Sequence, residues 1–208
     1  MLLTNQFIML LSEAQTKLNS IDKNQAPIPA RNKGGRGQWV EKQLGMNLSS
    51  KLNDFENGEL KVFKAGQTIA VTMVQHCLEE ILDSSVSYSE SNVGKKLNNV
   101  LFVKFAKTGE FVKSLVSNSQ THRELHYKLS EDYNYICEEI RRRYELGKEL
   151  TTINGTRDKN GVHKLLQIRT KASKKSDGTY TPLEYNGKRL KDKAMAFYLT
   201  RKFENLLF

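Results

Sequence analysis

The chain has 208 residues, and its 33 Lys+Arg against 23 Asp+Glu give a formal net charge of +10 and a pI near 9.5, a balance that favours a polyanionic partner. With 38% hydrophobic and 27% charged residues and only 3 prolines, it is too apolar for disorder and too mixed for collagen or a coiled coil. One domain with its own core is expected over 1–208. The apolar run Phe7-Ile8-Met9-Leu10-Leu11 is far short of the ~20 residues that a membrane span needs. Met1 to Thr4 carries no Lys or Arg, so no secretory leader is read there, and a cytoplasmic protein with no membrane partner is expected. Cys77 and Cys137 each sit in an apolar helical run, without a C-x-x-C pair or a histidine at ligand spacing, and read as reduced core residues.

Along the chain, Phe7, Leu10, Leu11, Ala14 and Leu18 recur at helical spacing and stop before the loop Gln25-Ala26-Pro27-Ile28-Pro29. The basic, glycine-rich segment Arg31 to Gly37 then feeds a short helix, Gln38 to Leu44, which Gly45 ends. Around Asn57-Gly58, the alternating run Asn53 to Phe63 predicts a hairpin of two adjacent strands. Gln67 to Val74 could extend that sheet, and Val74 to Leu82 reads as helical. Asn99 to Phe105 is β-branched and aromatic, as suits a buried strand. From Glu131 to Gly147, Tyr133, Ile136, Cys137, Ile140 and Tyr144 form one helical stripe. Lys164 to Arg169 suggests a strand, Lys171 to Lys193 a hairpin or loop, and Ala196 to Leu199 an apolar segment before a short tail.

Chemistry concentrates at the first hairpin. Alternate strand residues share a face, so Glu59 and Lys61 point the same way, and the turn brings Asp54 alongside them. Carboxylate oxygens suit Mg²⁺, and two acids beside an ammonium are the ingredients of phosphodiester hydrolysis. Taken alone, Glu-x-Lys in a charged protein reads as a solvated sheet edge. Glu41, on the helix just upstream, supplies a third carboxylate if that helix packs beside the hairpin, and otherwise faces solvent. The basic clusters Arg31 to Arg36, Lys171 to Lys175 and Lys188 to Lys193 suit DNA phosphates, whereas Arg141 to Arg143 spread about 300° around a helix and read as a solvated face. Arg169 and Lys171 alternate on one strand face and could both reach guanine edges, and Tyr198, between Phe197 and Leu199, could equally be a core residue. The four histidines pair with no nucleophile, and the loop 33–37 lacks the Gly-Lys-Ser/Thr ending of a phosphate-cradling P-loop.

Lys33-Gly34-Gly35-Arg36-Gly37-Gln38-Trp39-Val40-Glu41-Lys42-Gln43-Leu44-Gly45, followed by Asp54-Phe55 and Gly58-Glu59-Leu60-Lys61, resembles the active-site block of the MutH family. That family contains a mismatch-repair nicking endonuclease and type II restriction endonucleases that recognise GATC. The resemblance implies a restriction-endonuclease-like α/β fold, a mixed sheet flanked by helices, with two lobes around a DNA-binding cleft. Roughly 1–105 would form the catalytic lobe and 106–208 mainly the DNA-reading lobe. It further implies Glu41, Asp54 and Glu59 as Mg²⁺ ligands, Lys61 as the catalytic lysine, and Lys33 and Gly34 as DNA contacts in the glycine-rich loop. Gly94-Lys95-Lys96-Leu97 resembles the basic segment whose lysine approaches the active site, which points to Lys96. Leu165 to Ala172 resembles the base-reading strand and loop, with Arg169, Thr170 and Lys171 as readers, and Phe197-Tyr198-Leu199 the segment whose tyrosine senses adenine methylation.

The likeness covers about 33–208, with two departures. Asp54 stands closer to Glu-x-Lys than in the family, and Thr170 replaces a proline, freeing a backbone angle and an amide donor. The expected activity is Mg²⁺-dependent, site-specific cleavage of double-stranded DNA, with a DNA methyltransferase as functional partner. The alternatives are a nickase activated by a MutL-type partner, and a catalytically silent DNA-binding domain.

Overall fold

A computed structural model describes residues 9–22, 34–46, 54–55, 57–83, 86–153, 155–158 and 160–208. In chain order the elements are α1 (Leu11–Asn19), α2 (Gly35–Leu44), β1 (Glu59–Lys64), β2 (Ile69–Met73), α3 (Leu78–Leu82), α4 (Asn92–Asn98), β3 (Asn99–Phe105), β4 (Phe111–Asn118), α5 (Arg123–Glu145), β5 (Leu166–Thr170), β6 (Pro182–Tyr185), β7 (Lys188–Lys193), β8 (Met195–Leu199) and α6 (Arg201–Leu207). The protein is mixed α/β, with six α-helices and three small sheets among the described residues. The chain divides into two compact units: Met1–Gly66 with Asn99–Asn118, and Gln67–Asn98 with Ser119–Phe208. None of the described helices is long and apolar enough to cross a membrane.

In the first unit the sheet runs β1-β3-β4, with β1 parallel to β3 and β4 antiparallel to it. Leu60, Leu101, Val103 and Phe105 on one sheet face bury against Leu11, Ala14 and Leu18 of α1 and Val40 and Leu44 of α2. Trp39 of α2 meets Phe105 edge-on, with ring centroids 5.9 Å apart, the preferred aromatic geometry. Alternation along β1 puts Glu59 and Lys61 on the face opposite Leu60. Gly45 closes α2 at φ 75°, where a side chain would be strained.

Among the described residues the hairpin expected around Asn57-Gly58 reduces to one bridge, Phe55 with Gly58, and β1 takes its long partner, β3, from some forty residues on. Gly58 explains why: a Cβ there would lie 2.2 Å from the carbonyl oxygen of Asn99 and 2.6 Å from Leu11 Cδ1. Asn57 Oδ1 also accepts the Leu11 N–H at 3.1 Å, so the turn clamps α1 to the start of β3 rather than pairing two local strands. Gly58→Ala is expected to cost about 1–3 kcal/mol through overpacking, read as a lower denaturation midpoint; an unchanged midpoint would show that the turn can open freely.

The second unit holds the antiparallel sheet β2-β8-β5 and the separate hairpin β6–β7. Thus β2 belongs with β8 rather than extending the β1 sheet. The 74–82 segment starts as a 3₁₀ turn over Val74–Cys77 before α3. Asn186 and Gly187 turn the β6–β7 hairpin with φ 48° and 72°, the left-handed pair that a two-residue hairpin loop needs. Helix α5 begins eight residues before the stripe expected from Glu131, burying Leu125, Leu129, Tyr133, Ile136, Cys137 and Ile140. Tyr144 leaves that stripe and is 42% exposed. Cys77 and Cys137 are free and buried, and burial pushes the Cys137 thiol up to about 12. Arg141 is tied by its Nε to the Ile81 carbonyl at 2.7 Å and so is not merely solvated, whereas Arg142 lies exposed on the helix face, paired with Glu139 at 2.8 Å.

Helix α5 also buries two polar groups. Asp132 accepts the Leu165 and Leu166 amides and so fixes the entry to β5. His126 is 7% exposed with no hydrogen-bond partner for Nε2 among the described residues, and burial, with help from His122, holds its imidazole down at about 4. The unfolded chain therefore takes a proton below about 6.5 that the folded one refuses until about 4. Stability should fall by up to about 3 kcal/mol across that window and level off beneath it. Denaturant melts at stepped pH check this, with His126→Leu expected to flatten that limb; an equally steep variant would assign the loss to other groups.

Candidate active site

Three of the expected residues lie in one stretch of the first unit. Asp54, at the bend before β1, accepts the Leu60 amide on Oδ2 at 2.9 Å, which fixes its carboxylate against the strand start. Glu59 is 4% exposed and pairs with Lys61, Nζ to Oε2 2.9 Å, along one face of β1. The buried Glu59 charge is matched by the partly buried Lys61 ammonium.

Glu41 stands on α2 with Val40, which anchors the helix in the core. Its Oε2 is buried and, among the described residues, has no hydrogen-bond partner, an arrangement that leaves a lone pair unmatched. Burial first and the negative charge of Asp54 second raise its carboxyl above the ordinary range, so the two acids feel one another.

These residues fit a divalent cation of the Mg²⁺ kind: the donors are all oxygen, one of them is an orphaned buried carboxylate oxygen, and positive charge would relieve the Glu41–Asp54 repulsion. Among the described residues, though, no group of three or more His, Cys, Asp or Glu side chains converges as a finished cage. Glu41 and Asp54 are the electrostatically linked pair, while Glu59 is engaged by Lys61.

Lys96 stands half-buried on α4, in the second unit. Lys33 lies outside the described residues, and Gly34 is the N-cap of α2. The expected readers gather on the second unit's sheet. Arg169 of β5 donates from Nη1 to Thr68 Oγ1 at 3.0 Å and lies over the Tyr198 ring, 5.6 Å from its centroid. Tyr198 is the one residue of β8 not fully buried, which sets it apart from the core positions Phe197 and Leu199. Burial raises its phenol while Arg169 opposes the shift. Thr170 ends β5 exposed, and Lys171, also exposed, donates its backbone N–H to Ala194 at 2.7 Å.

Gln167 and Lys164 escape the sequence reading. Gln167 pairs with Tyr198 across the β5–β8 ladder and is 3% exposed. Lys164 is 2% exposed, its ammonium 5.3 Å from the Tyr135 ring centroid, and burial lowers its pKa despite nearby Asp132. The signal for Gln167 was present, since it alternates with Arg169 on one strand face. Comparison of the chain with protein-family models and with curated protein sequences finds no match.

Proposed function

We propose that the protein is a Mg²⁺-dependent, sequence-specific DNA endonuclease, built on a restriction-endonuclease-like fold with a catalytic lobe and a reading lobe around a DNA cleft. The observation that carries it is the acid–lysine set of the first unit: the Glu59–Lys61 pair at 2.9 Å on β1, with Asp54 at its start and the orphaned oxygen of Glu41 beside Asp54. Glu41 and Asp54 would hold the ion, with Glu59 contributing from β1. When bound, Mg²⁺ supplies Lewis acidity toward a phosphoryl oxygen and acidifies water. Lys61 offsets negative charge that develops on the scissile phosphate, and Glu59 holds its ammonium in place. Water adds across one P–O bond, leaving a phosphate on one end and a hydroxyl on the other. Lys96 is assigned the supporting basic role that its segment's resemblance implies.

The net charge of +10 supports a DNA partner, and Arg169, Thr170, Lys171 and Tyr198 are assigned to base reading, with Lys33 and Gly34 contacting the backbone. A type II restriction enzyme at GATC or a related site, working alongside a DNA methyltransferase in the cytoplasm, is favoured over a nickase that needs a MutL-type activator. Digestion of a defined plasmid, unmethylated or adenine-methylated, with Mg²⁺ and no partner protein tests this: discrete double-strand fragments support restriction, and a single nick or no cut without added activator turns the assignment to repair.

Base reading makes a separable prediction. Arg169→Ala should cost about 1–3 kcal/mol of discrimination at one base pair of the site; equal weakening on cognate and scrambled duplexes would make it a phosphate clamp. Tyr198→Ala should change the ratio of cleavage on methylated and unmethylated sites, and a constant ratio in a folded variant removes the sensing role.

A further inference from the structure

The second unit contains a cleft of about 430 Å³ whose lining includes Thr68, Gln167, Arg169, Thr200, Arg201 and Lys202. None of its described lining residues is Asp or Glu. Cations gathered beside a concave wall raise the local positive potential and draw in anions. Arg201 and Lys202 are exposed, and among the described residues neither side chain makes a hydrogen bond or ion pair.

The wall behind these cations is the informative part. Gln167 is 3% exposed, yet among the described residues its side-chain amide has no hydrogen-bond partner. That amide is not one of the sequestered polar groups, so it opens to the cleft, where its hydrogen bonds are available to a ligand. Thr68 Oγ1 accepts from Arg169, and its own O–H has no acceptor among the described residues, so it can donate into the cleft. Thr200 uses its hydroxyl hydrogen on the Lys164 carbonyl at 2.8 Å, which ties the loop before β5 to the start of α6 and fixes this wall. Charge and unused donors therefore line the same cleft.

We propose that this cleft is a phosphate-binding site: Arg201 and Lys202 supply charge, and the Gln167 amide and the Thr68 hydroxyl supply hydrogen bonds. Carboxylates are less well served, because a donor set spread over β5, α6 and the residue before β2 suits the tetrahedral oxygens of a phosphate better than one planar fork. The same chemistry recognises a DNA backbone phosphodiester or a free phosphate monoester. It does not depend on nuclease activity and uses no residue of the catalytic set.

The test measures binding by the full chain in EDTA, where cleavage cannot interfere. Wild type, Gln167→Leu and the double variant Arg201→Gln/Lys202→Gln are titrated with inorganic phosphate by calorimetry. Two labelled duplexes of about 20 base pairs and unrelated sequence are titrated by anisotropy across a salt series. If the occupant is a backbone phosphate, the double variant weakens both duplexes alike, by about tenfold or more, and the slope of log K on log salt shrinks by about one per cation removed. Should a free monoester be the occupant, inorganic phosphate binds the wild type measurably, and both variants lose at least about tenfold of that affinity. Either result supports the site and names its source. Variants that melt with the wild type yet bind duplex and phosphate unchanged would overturn it.

Discussion

Lys61→Met is expected to lower DNA cleavage by about 10²–10⁴-fold and to destabilise the fold at the same time. The second effect follows from burial: Glu59 is 4% exposed, and its Oε2 holds the Lys61 ammonium at 2.9 Å. Removing one partner of such a pair leaves a desolvated charge and costs about 3–5 kcal/mol. Removing both, in Glu59→Gln/Lys61→Met, should recover most of that stability, since a neutral amide can keep hydrogen bonding. Activity and stability therefore part company in the double variant. Denaturant unfolding alongside single-turnover cleavage measures both; a double variant that regains cleavage together with stability would reduce the pair to a structural strut.

Glu41→Gln is expected to stabilise the metal-free protein near neutral pH and to abolish its response to Mg²⁺. The sign follows from the raised carboxyl of Glu41, whose causes are burial and then Asp54. A group that binds its proton more tightly when folded favours folding at low pH, and that benefit is lost as pH rises through its folded pKa. At pH 7 the ionised Glu41 is therefore a liability, with its buried Oε2 unmatched. An ion that binds only the folded state adds RT ln(1 + [L]/Kd), about 2.7 kcal/mol at a hundredfold excess over Kd. Wild type should thus melt higher in Mg²⁺ and the variant should not. A Glu41→Gln protein that keeps the full Mg²⁺ shift would remove Glu41 from the ion's ligands.

Much of the first unit is legible in the sequence because local chemistry and tertiary use agree. Helix α2 is announced by helix formers ending at Gly45, and β3 by the run Val100-Leu101-Phe102-Val103, which the structure buries completely. The hairpin at Asn57-Gly58 misleads for a physical reason. The dipeptide supplies a tight turn, but Gly58 is needed for the approach of the Asn99 carbonyl, a contact forty residues away that no local pattern encodes. Likewise β2 is visible as a strand, while its pairing with β8 depends on a chain segment some 125 residues later.

The candidate site divides along the same line. Glu59 and Lys61 sharing a strand face follows from the two-residue period of a strand, and their ion pair is seen at 2.9 Å. That Glu41 carries the unmatched oxygen and feels Asp54 depends on how α2 lies beside the turn, which spacing alone does not give. Buried polar residues are the least legible: Gln167, Lys164, Asp132 and His126 look like ordinary surface letters, and only tertiary burial gives them a role.

Central to the account is hydrolysis of DNA by the Glu41, Asp54, Glu59 and Lys61 set. Its most direct test incubates an end-labelled duplex of defined sequence with excess wild-type protein in Mg²⁺, in Ca²⁺ and in EDTA, resolving the products at single-nucleotide resolution. Discrete phosphate- and hydroxyl-ended fragments in Mg²⁺ alone, absent for Glu59→Gln protein that still binds the duplex, are the predicted result, whereas an intact duplex in Mg²⁺ with folded, DNA-bound wild type would contradict it.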